Sequence, residues 1–480
     1  MINFLFAAPQ RILVWLSVFL MLAASLIQPT PASALSVQEE KELGEHLLTL
    51  VRKEFSFVDE PDISAYIRGL GEEILDVAGR QPFNYNFFVI NNREFNAFAA
   101  PGGLIVIHSG LIEATESEDQ LVSVMAHEVG HAASRHYASR LEKNQRVNLG
   151  ATALALAGMI LAGSSALGQA AVAGSMAGGA TMGLKFSRQD EEEADRLALG
   201  WMRQMERDPS EMVAMLRTMR NISRFRRAQL PAYLLTHPEP ERRIAYIEDR
   251  LYMDRLPTTI QPREGDEDFE FDFHRVRQRV FSLTHSPQDL LPALRHRLRD
   301  GDEDPVDFMA RFGLSQVYLA ERQYTKALEE IRKVIARFPD QPILLADMAI
   351  ILFEAGHGEE ALEKLAQGVQ RDPDNPYILF HRARILQKMD KLDEALPIYE
   401  KLLEKTPDHS RLHYRYGQVR SELGDQAAGH YHLGLYHWYQ GSVRMARHHL
   451  NEAIKQDRED GAIQHKARQQ LDEIARMQEK

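Results

Sequence analysis

A repeat of 34 residues in the C-terminal part constrains the fold more than any other feature of this 480-residue chain. Three alanines and three prolines recur at that interval: Ala327, Ala361, Ala395, Pro339, Pro373 and Pro407. Alanine lets two helices approach closely, and proline ends a helix whose chain must turn back. Units of this size bury their apolar faces only against their neighbours. The C-terminal part is therefore predicted to be an α-solenoid of helix pairs.

The period and its small and helix-ending positions are typical of the tetratricopeptide repeat (TPR). An irregular further pair is expected at Tyr431–Ile454, and the amphipathic segment Ala462–Met477 is expected to cap the stack. Residues 273–299 are predicted to be helical and to form an imperfect first repeat. The sequence thus predicts a TPR domain over residues 273–480.

The first 34 residues have the order of a secretory signal peptide. Arg11 precedes an apolar run from Ile12 to Ile27, and a small-x-small pattern ends at Ala34, the predicted cleavage point. An uncleaved membrane anchor is the alternative, because little positive charge precedes the run. Both interpretations predict that the bulk of the chain is exported.

Charge and cysteine content exclude several classes of protein. The formal net charge of −12 disfavours nucleic-acid binding, which normally uses a basic face. The chain contains no cysteine, so it has neither disulfides nor a lipoprotein anchor. Histidine, aspartate and glutamate are then the available ligands for a zinc ion.

Residues 35–255 are predicted to be a mainly α domain with a small β-sheet. Strands are expected at Phe83–Ile90 and Gly103–Ser109. The second candidate strand is interpreted either as a sheet edge that receives an extended peptide or as an ordinary core strand. Residues 256–272 contain prolines and an acidic run, and they are predicted to be a linker.

A candidate metal site lies at His127 and His131, four residues apart in a segment with helical spacing. Side chains at i and i+4 share a helix face, so both imidazoles can reach one ion. Glu128 lies next to His127, where a carboxylate can act as general base and acid on a water activated by zinc. Two surface histidines are the alternative, but the apolar residues 121–126 predict a buried helix, and buried histidines need partners.

A third ligand is expected in the acidic segment 187–196. Spacing alone does not choose among Glu191, Glu192 and Glu193. Glu191 and Asp195 stand at i and i+4, so one can bind the metal while the other orients a histidine. An acidic helix start, favoured by the helix dipole, is the alternative for Glu192 and Glu193.

Four segments together resemble the gluzincin family of HExxH metalloproteases that contains HtpX and the CAAX prenyl proteases. They are His-Glu-x-x-His at 127–131, Ser-Arg-x-x-Glu-x-Glu-Ala-Asp-Arg at 187–196, Asn-Ala-Phe-Ala at 96–99 with Pro-Gly-Gly at 101–103, and His-Pro at 237–238 with Arg-Ile at 243–244. The resemblance implies that Glu191 is the third zinc ligand and Asp195 its supporting partner. It also implies that His237 lies at the metal, where it can occupy the open coordination position and hold the enzyme latent.

A signal peptide and C-terminal TPRs are similar to those of periplasmic members of this family that attend outer-membrane β-barrel assembly. The resemblance implies a gluzincin-type protease domain with one Zn²⁺ per chain, followed by the repeats. Protein substrates and an outer-membrane assembly machine are the partners it implies. The alternatives are a TPR scaffold with latent proteolysis and an integral membrane metalloprotease.

Two further stretches have more than one interpretation. Residues 147–184 carry no charge and are rich in alanine and glycine, which predicts packed or mobile helices over the active site, with peripheral membrane contact. A membrane-crossing segment is the alternative. Five histidines cluster in the last repeat: His430, His432, His437, His448 and His449. They are predicted to be packing and groove residues, with a second metal site as the alternative.

Overall fold

The computed structural model describes residues 35–143, 186–225, 232–254, 269–299, 304–458 and 461–479. The predicted signal peptide, the uncharged segment at 147–184 and most of the predicted linker lie outside these ranges. Two helices open the described chain, α1 (Val37–Glu54) and α2 (Pro61–Ala78). A capping box between Ser36 and Glu39 starts α1, and a proline in the first turn starts α2.

A three-stranded sheet follows, formed by β1 (Asn86–Ile90), β2 (Ala97–Ala100) and β3 (Leu104–His108) in the order β1-β3-β2. β3 pairs in parallel with β1 and antiparallel with β2. All five residues of β3 are buried, as their apolar sequence requires.

The prediction that Gly103–Ser109 offers a sheet edge to a peptide is therefore wrong, and its core-strand alternative is confirmed. The central position uses the backbone groups of β3 on both sides, so none remains to pair with a substrate. Within the described residues β2 has a ladder partner on one side only. β1 forms a further bridge, between Ile90 and Phe57.

Seven helices complete the N-terminal part in the described chain. They are α3 (Ser109–Ala114), α4 (Glu118–Ala133), α5 (His136–Lys143), α6 (Arg188–Gln204), α7 (Glu211–Phe225), α8 (Ala232–Thr236) and α9 (Pro240–Met253). Residues 120–132 of α4 are all buried. Gly130 lets α4 pack directly on α6, since a Cβ at that position would lie 3.2 Å from the Cα and O atoms of Ala194.

The C-terminal part is built of helices alone in the residues that the structure describes. They are α10 (Phe271–Thr284), α11 (Pro287–Arg297), α12 (Pro305–Phe308), α13 (Ala310–Ala320), α14 (Tyr324–Arg337), α15 (Ile343–Glu354), α16 (Gly358–Arg371), α17 (Pro376–Lys388), α18 (Leu392–Lys405), α19 (Ser410–Glu422), α20 (Gln426–Tyr439), α21 (Val443–Gln456) and α22 (Ala462–Glu479). The repeating alanines Ala327, Ala361 and Ala395 are fully buried. A mainly α fold with a small sheet, followed by helical repeats, confirms the predicted fold class.

Helix α10 belongs to both halves of the molecule. Val276 and Val280 are part of the core around the sheet, whereas Phe271 packs into the core of the repeats. Arg275 is buried between Asp62 of α2 and Asp347 of α15, with 2.9 Å to each carboxylate. The repeats are thus docked on the N-terminal part through a buried ion-pair network. Among the described helices, none is both long and apolar enough to cross a bilayer.

Candidate metal centre

Four side chains converge at one buried point between α4, α6 and the start of α9. One potential ligand atom from each of His127, His131, Glu191 and His237 lies within 4.8 Å of the others. The Nε2 atoms of His127 and His131 are 3.0 Å apart, as expected for i and i+4 positions on one face of α4. All four residues are at most 2% exposed. In the described chain, no other group of histidines and carboxylates has this geometry.

The fold separates the three neighbouring glutamates of α6. The two carboxylate oxygens of Glu191 lie 3.5 Å from His131 Nε2 and 3.6 Å from His127 Nε2. Glu192 instead pairs with Arg242 on the surface, and Glu193 points toward His136. The structure therefore places Glu191 alone beside the two histidines of α4.

His237 is held between two aromatic rings. Tyr233 stacks on one side at 4.2 Å between centroids, and Phe186 stacks on it at 5.0 Å. Its Nδ1 lies 3.0 Å from Glu191 Oε1, and its Nε2 lies 3.4 Å from Glu128 Oε1. This sandwich fixes the imidazole in the middle of the site, beside both the ligand carboxylate and the predicted general base.

A second layer of contacts orients the two histidines of α4. His127 Nδ1 lies 2.9 Å from Asp195 Oδ1, and His131 Nδ1 lies 2.9 Å from His136 Nδ1. Because these partners contact the Nδ1 atom of each ring, the Nε2 atoms of both rings face the centre of the site. Arg243 donates to Asp195 at 2.7 and 2.9 Å and lies 3.1 Å from Glu191 Oε2. It neutralises both carboxylates.

Glu128 spans the space between the helix and the sheet. Its Oε2 accepts a hydrogen bond of 2.8 Å from the backbone N–H of Ala99 in β2. Its Oε1 has no hydrogen-bond donor in the described part of the chain. The carboxylate is therefore anchored by one oxygen, while the other is available to exchange a proton.

The protonation states suit a metal. Burial lowers the pKa of His131 well below its ordinary value, so the ring is neutral. Burial alone would raise the pKa of Glu191, but His237 and Arg243 outweigh it and hold the pKa well below its ordinary value. Glu191 Oε2 has its ion pair with Arg243 but no hydrogen bond, and His237 Nε2 has no hydrogen-bond partner among the described residues. Three imidazoles and a carboxylate with such orphaned buried atoms fit a tetrahedral divalent ion.

The supporting residues are not evident from the sequence. Arg243 is marked only by its place in the Arg-Ile motif, and no motif marks Phe186, Tyr233 or His136. Arg243 and Tyr233 approach the site from chain segments that lie well beyond the end of α6 at Gln204. Only His136, five residues after His131, could have been found from local spacing.

The histidines of the last repeat do not form a comparable site. His430 and His449 lie 3.0 Å apart between their Nδ1 atoms, and His432 lies 2.8 Å from His413. His437 stacks on His449. These contacts pack α19, α20 and α21 together, and within the described residues these histidines do not form a group with metal-binding geometry.

Comparisons with known proteins agree with this geometry. Residues 61–251 match the model of peptidase family M48, and residues 290–342, 318–385 and 352–419 match models of the tetratricopeptide repeat. The chain is 32% identical over 324 residues to the beta-barrel assembly-enhancing protease of Escherichia coli K12. That match covers 66% of this chain and 61% of the relative, so the chain spans less than two thirds of the relative's length.

Two further matches are shorter. Mitochondrial metalloendopeptidase OMA1 of Schizosaccharomyces pombe is 28% identical over 190 residues, which cover 39% of this chain and 52% of the relative. Metalloprotease LoiP of Escherichia coli K12 is 26% identical over 176 residues, which cover 37% of this chain and 66% of the relative. These matches confirm the predicted resemblance. The chain thus carries a metallopeptidase domain of family M48 at residues 61–251, followed by tetratricopeptide repeats.

Proposed function

We propose that this protein is an exported, zinc-dependent endopeptidase that degrades misfolded or misassembled envelope proteins, among them outer-membrane β-barrels. The convergence of His127, His131 and Glu191 around one buried point, with Glu128 beside it, carries the proposal. The similarity to the beta-barrel assembly-enhancing protease supports the substrate class. The periplasm is the proposed location, and the predicted signal peptide supports it.

His127, His131 and Glu191 would hold the zinc ion, which when bound polarises a scissile carbonyl and activates water. Glu128 is the general base and acid, since its Oε1 is free to take a proton and return it to the leaving amine. The bond from Ala99 N–H keeps the other oxygen in place. Asp195 is a positioning residue that acts through His127.

An extended substrate would pair with β2 rather than with β3. β2 is the strand of the described sheet that lies next to Glu128 and has a ladder partner on one side only. The outward-facing N–H of Ala99 shows that this side points toward the predicted general base. Backbone pairing along such an edge aligns a peptide without selecting its sequence, which suits a quality-control protease.

A latent scaffold is the second candidate, and the position of His237 favours it. A catalytic zinc site keeps one open position. His237 offers a ligand atom within 4.8 Å of those of His127, His131 and Glu191, so it could fill that position. In this arrangement the ring must leave before a substrate can enter. The repeats would then bind substrates or an assembly machine while proteolysis is held back.

Casein degradation by the purified protein tests the proposal, with zinc content determined for each variant. We expect slow cleavage by the wild type, none by Glu128→Gln and faster cleavage by His237→Ala, with one zinc retained in all three. Absence of both zinc and cleavage in all three proteins would refute the peptidase. Equal rates for wild type and His237→Ala would refute the latency.

A further inference from the structure

The turn between α4 and α5 consists of Ser134 and Arg135, and it carries a strained residue. Arg135 has a left-handed backbone with a φ of 50°, a region that favours glycine. Its N–H donates to the carbonyl of Ala132 at 3.1 Å, and its own carbonyl accepts a hydrogen bond of 3.0 Å from the N–H of Ser139. A turn of this kind after a helix usually has glycine or asparagine at the left-handed position. The presence of arginine therefore has to be explained by its side chain.

The side chain of Arg135 is held by residues at the start of the described chain. Its Nε donates to Glu40 Oε2 at 2.8 Å, and its Nη2 donates to the carbonyl of Leu35 at 2.6 Å. Glu40 and Leu35 are both buried. Neither glycine nor asparagine carries donors that reach both groups, whereas the guanidinium fork does. We call Leu35, Glu40 and Arg135 the clasp.

Helix α1, which carries Glu40, is fixed on the sheet. A Cβ at Gly44 of α1 would collide with the carbonyl of Pro101, so this glycine lets the helix pack directly on the turn that follows β2. β2 contains Ala99, whose N–H holds the predicted general base, Glu128. The clasp is thus anchored on the same sheet that positions Glu128.

The residue that follows the strained turn contacts a candidate metal ligand. His136 is the first residue of α5, and its Nδ1 lies 2.9 Å from the Nδ1 of His131. For His131 Nε2 to serve as a ligand, the proton of that ring must lie on Nδ1, so His131 donates and His136 Nδ1 accepts. The proton of His136 then lies on Nε2, which is 3.4 Å from Glu193 Oε2. The position of α5 therefore sets the orientation of the His131 ring.

The turn after α6 provides an internal comparison. Glu206 follows the C-cap of α6 as Arg135 follows the C-cap of α4, with a φ of 58° and an N–H that donates 3.1 Å to the carbonyl of Arg203. Its side chain is exposed. The two turns thus share a backbone and differ in what the side chain does.

We propose that the clasp positions the candidate metal site. Leu35 and Glu40 hold Arg135 in the left-handed turn, and the turn places His136 on His131. Strain of this kind persists where surrounding contacts impose it, and such residues concentrate at functional sites. The segment that directly follows the predicted cleavage point at Ala34 is then part of the support of the metal site. The inference rests on the proposed zinc site, and Arg135 is a positioning residue.

Zinc affinity, measured by competition with a chromogenic chelator, tests the clasp. Arg135→Gly keeps the left-handed backbone and removes the side chain, and we expect affinity to fall about 3–10-fold, less than is usual for a direct partner of a metal ligand. Glu206→Gly makes the same change in the turn after α6, and we expect less than about a twofold change. Equal affinities of the two variants would overturn the proposal.

Two further variants separate positioning from a general loss of structure. Arg135→Lys keeps a cationic donor for Glu40 and should restore most of the lost affinity. In a His136→Gln background, Arg135→Gly should have no further effect on zinc affinity, because the turn acts on the metal site through that ring. An equal loss in the lysine and glycine variants, or an added loss in the His136→Gln background, would contradict the proposal.

Hydrogen exchange of the metal-free proteins tests the clasp without zinc. The amides of α5 should exchange faster in Arg135→Gly than in the wild type or in Glu206→Gly, because the turn before α5 is no longer held. If the wild type binds no zinc, the proposed peptidase fails, but exchange in α5 still shows whether the clasp holds this helix. Unchanged exchange of α5 in Arg135→Gly would overturn the clasp itself.

Discussion

Arg243 and Asp195 form a paired, fully buried ion bridge behind the candidate metal site. Two guanidinium nitrogens of Arg243 donate to the two carboxylate oxygens of Asp195, at 2.9 and 2.7 Å. Asp195 in turn contacts His127 Nδ1. The bridge therefore ties α9 to α6 and fixes the ring of His127, a candidate metal ligand. It connects the stability of the domain to the geometry of its site.

Arg243→Ala is expected to lower the free energy of unfolding of the metal-free protein by about 3–5 kcal/mol, because it leaves buried carboxylates without a cation. Urea unfolding after chelator treatment measures the loss. Arg242→Ala is the control, because the neighbouring Arg242 pairs with Glu192 at the surface, where about 1 kcal/mol or less is expected. Similar losses for both variants would contradict the role of the buried bridge.

Asp195→Asn is expected to weaken zinc binding about 10–100-fold, because the charge that orients His127 is lost. Competition with a chromogenic chelator measures the affinity. Glu192→Gln, three residues earlier on α6, removes a carboxylate that pairs with Arg242 at the surface, and this variant should bind zinc like the wild type. Unchanged affinity in Asp195→Asn would show that His127 is oriented by packing alone.

Tyr233→Leu is expected to speed casein cleavage about 2–10-fold, because it removes the ring stacked on His237 and so favours departure of the imidazole. Tyr233→Phe keeps that ring and removes only the hydroxyl. It should therefore cleave at the rate of the wild type. Equal rates for the leucine and phenylalanine variants would argue against aromatic stacking as the restraint on His237.

Asp347→Ala is expected to destabilise the protein by about 3–5 kcal/mol, because Arg275 loses one of its two buried carboxylates at the junction of the repeats and the N-terminal part. Chemical unfolding followed by tryptophan fluorescence measures the change. Asp340→Ala removes an exposed aspartate that lies 3.8 Å from Arg371, and it should change the unfolding free energy little. A small effect of Asp347→Ala would show that apolar packing around α10 holds the junction.

Acid is expected to weaken the same junction. Burial would raise the pKa of Asp62, but Arg279 and Arg275 outweigh it and lower the pKa below the ordinary 3.8. A carboxylate whose pKa is lower in the folded protein than in the unfolded chain stabilises the fold at pH values above the unfolded-state pKa. This stabilisation is lost as the pH falls through the folded-state pKa. The unfolding free energy of the wild type should therefore fall below pH 3.8, and that of Asp62→Asn should fall less. Parallel pH profiles would contradict this assignment.

Local periodicity predicted much of this molecule. The helix that carries His127 and His131 is predicted from the i and i+4 spacing of these two residues. The repeats are predicted from the 34-residue interval, which is the length of one helix pair. Both patterns depend on neighbouring residues, so they can be read from the sequence. The alanines at the repeat positions are buried where the pattern predicts close helix contacts.

Strand β3, which was predicted as a possible edge, shows where reasoning from local patterns fails. An apolar run such as Leu104–His108 can be an edge or a central strand, and only its partners on both sides decide. The same holds for α10. Its two apolar faces enter two different cores, a fact that its own spacing does not reveal.

The sequence by itself determined the helix with its two histidines, the acidic segment that contains the candidate third ligand, and the repeat architecture. The tertiary structure decided that Glu191 rather than its neighbours faces the histidines, that His237 stands between Phe186 and Tyr233, and that Arg243 bridges to Asp195. Apart from the stack of Tyr233 on His237, these contacts join residues about 50 to 60 positions apart. Long-range contacts of this kind depend on how whole helices pack, which no local pattern encodes.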